Sequence, residues 1–382
     1  MQRRTRPYPI ALMLLALTAG TAGAATHDAT LEKSIPTAGV HTLQFQNLAG
    51  TLTLGTTAGD AIVVKAHVVA GGSSDADAAK LAARIALDLE QTGDTAYLTV
   101  DYPVDDYDHY LYHAADLSGG DVHVKYMGER VTVNGGFLFS TGVPLHVDVD
   151  IRVPKGIKVH AENAVGVITS DGLTGGLYAK VHDGPVTDSH SSGEDYLDTG
   201  SGDVHVSSHQ GAAKADTGSG DAVFEDVTGD EVYADTGSGD VTMKHCKAAL
   251  LYADTGSGSV KLEDVQGSLH LDTGSGGVDG TGIVSGEKLY ADTGSGHVRL
   301  EGDLSALLDM YVDTGSGDIS IKTSRVPSLH IVAGTGSGDL TVDLPGLQNV
   351  SSRHHEFRGD VNGGKGSAKL DAGSGDLSFT KD

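Results

Sequence analysis

Apolar and polar residues alternate along most of this chain, and the alternation predicts β-strands almost throughout. His41 to Gln46, Gly50 to Leu54 and Ala61 to Val69 alternate in this way and are broken at Asn47, Gly55 and Gly59. One stretch has another period. Leu81, Ile85 and Leu89 fall at i, i+4 and i+8, beside Ala78, Ala82 and Ala86 and behind Ser73 and Ser74 as capping residues. This predicts an amphipathic helix over 74–90, then a strand from Ala96 to Tyr102. Residues 103–141 carry no steady period and read as irregular. Leu145, Val147, Val149, Ile151 and Val153 then alternate strictly up to a turn at Pro154-Lys155-Gly156.

From there the pattern repeats. The hexapeptide Asp-Thr-Gly-Ser-Gly-Asp begins at Asp198 and returns, with variation at its sixth place, from Asp216, Asp235, Asp254, Asp272, Asp292 and Asp313. Weaker copies start at Gly334 and Asp371. The intervals are 18, 19, 19, 18, 20, 21, 21 and 37 residues, the last close to two ordinary ones. A steady period near 20 is the signature of a solenoid. Segments at Ala161–Gly166 and Ala179–Gly184 keep the phase but not the sequence, so the array is expected to start near residue 143 with degenerate coils.

Aligned in columns, the repeats separate inside from outside. The seventh position holds Val204, Ala222, Val241, Val260, Val278, Val298 and Ile319, and the ninth holds Val206, Phe224, Met243 and Leu262. Residues two apart share a face of a strand, so both columns are expected to point inward. Apolar residues also stand one and three places before most first Asp residues, which predicts a second strand with its own inward face. Each coil is thus two or three short strands, stacked on the next at about 4.8 Å. The hexapeptide is expected at a corner. There the first Asp (Asp198, Asp216, Asp235, Asp254, Asp272, Asp292, Asp313) accepts a turn N–H, and the two Gly supply positive φ. Stacked Asp side chains repel by about 0.9 kcal/mol even in bulk water, so turn hydrogen bonds must outweigh that cost. Two places before the first Asp, on the face opposite the core, come Tyr178, Tyr196, Lys214, Tyr233, Tyr252, His270, Tyr290 and Tyr311. Six Tyr in one outer column make an aromatic stripe, read either as a binding face or as strand-forming residues stacked on themselves.

Composition narrows the picture. Gly is 54 of 382 residues while Pro is 9, which fits tight turns and not a disordered linker. Arg3, Arg4 and Arg6, an apolar run from Ile10 to Leu17 and Ala22-Gly23-Ala24 read as a secretory signal over 1–24. Its removal takes the formal charge from −26 to −29 (23 Lys and Arg against 52 Asp and Glu), which repels nucleic acid and anionic membranes. The mature chain is expected to be periplasmic or extracellular, with no transmembrane segment. Cys246 stands alone, in a column with Val227 and Val265, and reads as a buried, inert thiol.

Two chemistries compete with this frame. Calcium-binding solenoid turns place Gly and Asp differently and repeat every nine residues, so a calcium-binding structural protein is the first alternative. A polysaccharide-active β-helix enzyme is the second, but intervals of 18 to 21 residues leave no loop to wall a cleft. His109 and His113 have the i, i+4 spacing of a metal pair without a supporting motif, and are read as loop residues. No catalytic residue, metal ligand or cofactor is assigned.

The Thr-Gly-Ser-Gly-Asp units, the Leu-Tyr-Ala-Asp-type strands before them and Val149–Gly156 resemble the bacterial putative-adhesin β-strand-repeat family, a domain of unknown function related to the head-GIN putative adhesins. The resemblance covers about 145–382 well and 40–102 more loosely. It implies an exported β-solenoid with adhesion as its proposed role, and brings no catalytic residues. The expected architecture is all-β: a signal over 1–24, a β-rich region over 25–142 with the helix, and a single-stranded parallel β-solenoid over 143–382. The crossover rule favours right-handed coils. The expected function is adhesin-like binding or scaffolding at the cell envelope, with a glycan or an envelope protein as partner.

Overall fold

In a computed structural model of the chain, residues 25–114, 117, 119–135 and 141–382 are described. The expected signal lies outside them. Most of the described residues lie in strands, with one helix, and no helix among them is long and apolar enough to cross a membrane. The chain divides into two compact units, Met1–Pro185 and Val186–Asp382.

In the first unit, the strands Thr95–Asp101, Thr42–Ala49, Lys158–Val165 and Leu177–Asp183 lie side by side and parallel, in that order. A second ladder runs Ala25–Pro36, Ala61–Gly72, Val143–Pro154, Leu52–Thr57 and Ile168–Asp171, antiparallel at first and parallel after Val143–Pro154. Residues 42–57 therefore form a coil seated among strands from beyond residue 143. Where the hexapeptide is missing, its place is taken by buried asparagines. Asn47 Nδ2 donates to Asn163 Oδ1 at 3.1 Å, and Asn163 Nδ2 donates to the Gly50 carbonyl at 2.7 Å.

Two expectations for this unit change. The helix starts behind Ser74 as expected, but it spans only Asp75–Ala82, and Ala86–Thr92 is a strand. Leu81 and Ile85 are buried as the helical pattern requires. Beyond them Leu87 and Leu89 also alternate, and Gly93 (φ +64°) closes a hairpin that pairs Ala86–Thr92 with Thr95–Asp101 residue for residue. That long antiparallel register outweighs one more helical turn. Residues 103–141 are also more regular than expected. They contain the strands His109–Leu111, Asp121–Tyr126 and Glu129–Asn134, the last two joined through Met127 and Gly128, both at positive φ. Methionine is a poor signal for such a turn, which hid the hairpin. His109 and His113 share no helix: His109 Nδ1 lies 2.9 Å from Asp108 Oδ1, and His113 Nδ1 lies 3.0 Å from the Gly135 carbonyl.

In the second unit, the strand entering each hexapeptide pairs in parallel with its counterpart in the next coil, from Asp195–Thr199 through Asp309–Thr314. The strand leaving it does the same, from Val186–Ser189 through Ile319–Arg325. The seventh and ninth positions are buried as expected as far as Ile319 and Ile321, Val204, Phe224, Met243 and Val260 among them, whereas Leu340 and Val342 in the outermost coil are half-buried. Each fully buried Val or Leu in such a column contributes roughly 1.5–3 kcal/mol. Cys246 lies among them, its thiol pushed up to about 11 by burial.

The final coils depart from chain order. Asp309–Thr314 pairs with Gly366–Ala372, which pairs in turn with Leu329–Thr335. The last copy of the motif thus stacks directly on the copy at Asp313, and the copy at Gly334 lies beyond it. The long interval holds an antiparallel hairpin, Leu347–Arg353 with Glu356–Val361, that covers the outer edge of Leu329–Thr335. The new outer strand, Leu347–Arg353, carries a register shift between Gln348 and Ser351, and such a bulge makes an edge a poorer template for strand addition.

Candidate binding face and the corner beside it

The corner is built from residues that face inward and back along the stack. In the strand Ala213–Thr217, Ala215 points in, Asp216 points out and Thr217 points in again. Thr199, Thr217, Thr236, Thr255, Thr273, Thr293 and Thr314 are all buried. Thr255 Oγ1 accepts the N–H of Gly258 in its own corner at 3.0 Å and donates to the Gly239 carbonyl of the preceding coil at 2.8 Å. Thr217, Thr236, Thr273 and Thr293 make the same pair of bonds. One hydroxyl thus closes a corner and ties it to its neighbour.

The glycines do something other than expected. None of the paired glycines in these corners has positive φ. Their requirement is space. A Cβ on Gly239 would lie 1.9 Å from the Gly220 carbonyl oxygen, and one on Gly237 would lie 2.4 Å from that of Gly218. The same approach recurs down the stack, because backbone meets backbone there at each step. Positive φ belongs to the second corner, where His190, Ser208, Asp226, His245 and Asp264 adopt it.

The two Asp of the hexapeptide also divide their work. The sixth links coils: Asp203 Oδ1 accepts the Asp221 N–H at 2.9 Å, and Asp221 Oδ1 accepts the Asp240 N–H at 2.8 Å. The first lies on the outer face, where Asp235, Asp254, Asp292 and Asp313 each accept a hydrogen bond from a Tyr hydroxyl at 2.8–3.2 Å. Those bonds replace the expected turn N–H as the partners of these side chains. Burial, then the charge of Asp254, raises Asp235 above the usual carboxylate range, and Asp272 is raised in the same way.

The tyrosines of the outer column split into groups. Tyr233, Tyr252, His270, Tyr290 and Tyr311 stack face to face, with ring centres 4.5, 4.7, 4.5 and 5.2 Å apart and planes within 8–11° of parallel. Lys214 Nζ lies 5.5 Å from the Tyr233 ring centre, and Lys369 Nζ lies 5.1 Å from that of Tyr311. Tyr196 stands outside this stack and donates to Asp216 at 3.3 Å. Tyr178, in the first unit, tilts 42° against His160.

Burial first, then the Asp254 charge, pushes the Tyr252 phenol up to about 12. Tyr311 is pushed up to about 12 chiefly by its hydrogen bond to Asp313. Tyr233 and Tyr290 are raised further, mainly by burial. A folded-state pKa above the unfolded value of about 10 gives stability that is present below pH 10 and lost as pH climbs through the folded value. The melting temperature is therefore expected to fall between about pH 10 and pH 12. Replacing the four stacked tyrosines with Phe should flatten that fall. An unchanged slope would mean that the phenols are not held by the carboxylates.

One buried polar cluster in the second unit lies where the aligned columns are otherwise apolar. Asp188, Ser191, Asp195 and His209 are all buried. His209 Nδ1 lies 2.8 Å from Ser191 Oγ and 3.2 Å from Asp195 Oδ2. The signal was present: each of these residues interrupts an apolar column.

The Toastrack DUF4097 family model matches residues 88–380. No curated protein matches the chain. Among solved structures, a "putative cell adhesion protein" from Clostridium sporogenes is similar at 9% identity over 93% of this chain and 100% of its own, with a TM-score of 0.18. A "putative adhesin" from Parabacteroides distasonis shares 14% identity over 77% and 94%, with a TM-score of 0.29. A "putative lipid binding protein" from the same organism shares 11% over 91% and 96%, with a TM-score of 0.31.

Proposed function

The chain belongs to the Toastrack DUF4097 family, and from that premise we propose that it is an exported, non-catalytic binding protein of the cell envelope that engages a basic protein surface through the tyrosine–aspartate ladder. The orientation of the rings carries this reading. Sugars are held by stacking on exposed aromatic faces. Here the faces of Tyr252, His270 and Tyr290 lie against one another at 4.5–4.7 Å. The ladder offers its ring edges and a row of carboxylates to the outside. Such a row suits Lys and Arg side chains on a flat partner. Asp235 and Asp272 already hold their protons more tightly than ordinary carboxylates because of burial and neighbouring charge. A cationic partner relieves that repulsion, so part of the cost of stacking the aspartates is recovered on binding.

The test uses the full mature chain and a poly-lysine peptide, measured against a neutral polysaccharide. At about 0.5 kcal/mol each, four exposed ion pairs amount to about 2 kcal/mol, roughly a thirtyfold change in affinity. Asp235→Asn, Asp254→Asn, Asp292→Asn and Asp313→Asn together should weaken peptide binding by about that factor. Removing the same charge at the exposed Asp60, Asp75, Asp105 and Asp121 should leave it within about twofold. Equal losses in both variants would reduce the ladder to part of a diffuse acidic surface. Tighter binding of the polysaccharide would move the partner to glycans.

A further inference from the structure

The second unit has a polar interruption at one level of its core. In the ninth column Asp188 stands in register with Val206, Phe224 and Met243. Three places before the first Asp of the hexapeptide, Asp195 stands in register with Ala213 and Val232. At the next corner Ser191 and His209 occupy the column that continues with Val227 and Cys246. Three adjoining inward columns thus turn polar together. Asp188 and His209 are 0% exposed, and Ser191 and Asp195 are 3% exposed. A hydrophobic coil of the same shape was available at each place, and a buried carboxylate costs several kcal/mol unless its charge is matched.

The donor atoms converge. Asp188, Asp195 and His209 each offer one ligand atom, and these atoms lie within 4.8 Å of one another. His209 Nδ1 is 3.2 Å from Asp195 Oδ2 and 4.0 Å from Asp188 Oδ2. Ser191 Oγ hydrogen-bonds to Asp188 Oδ2 and lies 3.3 Å from Asp195 Oδ2 and 2.8 Å from His209 Nδ1. The far nitrogen of the ring, Nε2, is buried as well. Ligands about 2.0–2.1 Å from a tetrahedral metal sit roughly 3.3 Å from one another; the 3.2 Å between His209 Nδ1 and Asp195 Oδ2 matches this, and the 4.0 Å from His209 Nδ1 to Asp188 Oδ2 approaches it.

We propose that Asp188, Asp195 and His209 bind one divalent transition metal of the zinc class, with the Ser191 hydroxyl completing a four-donor set. Two carboxylates neutralise the ion, and the imidazole nitrogen selects against calcium and magnesium, which take oxygen ligands. A closed donor set with no access from solvent makes the site structural, a clasp between successive coils.

The test uses the full chain stripped with a chelator and titrated with Zn²⁺. One zinc per chain should remain after gel filtration, and the melting temperature should rise with zinc, since an ion that binds only the folded state stabilises it. His209→Gln should weaken zinc binding by at least about 100-fold and abolish the rise. No rise in the wild-type chain overturns the proposal, and so does equal zinc retention by His209→Gln, which would place the metal on surface histidines. If that variant does not fold, Co²⁺ in the wild-type chain decides. Intense visible bands of a four-coordinate ion support the site, and the pale spectrum of a six-coordinate ion overturns it.

Discussion

Gly239→Ala is expected to abolish cooperative folding of the coils around it. The new Cβ would lie 1.9 Å from the Gly220 carbonyl oxygen, 2.4 Å from its carbon and 2.9 Å from the Asp221 nitrogen. These are backbone atoms already fixed by the ladder. The Thr236 hydroxyl is bonded to that same Gly220 carbonyl at 2.9 Å, so the neighbour cannot withdraw without breaking a buried bond. The strand pairing on both sides of the corner would have to open. A loss above about 4 kcal/mol is expected, as for other substitutions that force overpacking and break buried hydrogen bonds together. Gly59→Ala is the matched control: the nearest atom to its Cβ is Thr57 Oγ1 at 3.7 Å, and its φ is not positive. It should change stability by less than about 1 kcal/mol. Urea midpoints for the two variants check both. A Gly239→Ala chain that unfolds like wild type would mean that the coils are farther apart than described.

Thr255→Val should cost about 2–4 kcal/mol with almost no change in volume. Valine keeps the shape and removes the hydroxyl, stranding the Gly258 N–H and the Gly239 carbonyl, which that hydroxyl bonds at 3.0 and 2.8 Å. Thr255→Ser keeps the hydroxyl and loses a methyl, so it should cost about 1 kcal/mol. The order of the two variants in urea is the discriminating result. If Val is as stable as wild type and Ser is worse, the threonine column is packing and not a hydrogen-bonded lock.

These predictions show where the sequence was legible. A steady period gave the solenoid, and the parity of Val204 and Val206 separated core from surface. The same parity placed Tyr233, Tyr252, Tyr290 and Tyr311 outside, where they now stack. Carried two residues further, it would also have put Thr236 and Thr255 inside. The role of the glycines was not legible, because Gly239 is required by a carbonyl in another coil, 19 residues earlier in the chain. Local pattern sees a turn there and assigns the commonest reason for glycine in a turn. The order of the last coils was hidden for a related reason. Spacing reports how much chain separates two copies, and it does not report which copy stacks on Asp313. The early end of the helix was a contest between two periods in Ala78–Leu89, settled by pairing with Thr95–Asp101. The cluster at Asp188, Ser191, Asp195 and His209 was visible only as exceptions to apolar columns.

Thr and Gly build a lock that is turned inward, and Tyr and Asp build a ladder, proposed to bind, that is turned outward. Affinity for poly-lysine and melting temperature, measured together on Thr255→Val and on a chain with Tyr233, Tyr252, Tyr290 and Tyr311 changed to Ser, test that separation most directly. Thr255→Val is expected to melt earlier yet bind normally below its transition. The serine variant is expected to stay folded at the same temperature and to lose affinity, because its carboxylates lose the hydroxyls that hold them in a row. A serine variant that stays folded with undiminished affinity would contradict that separation.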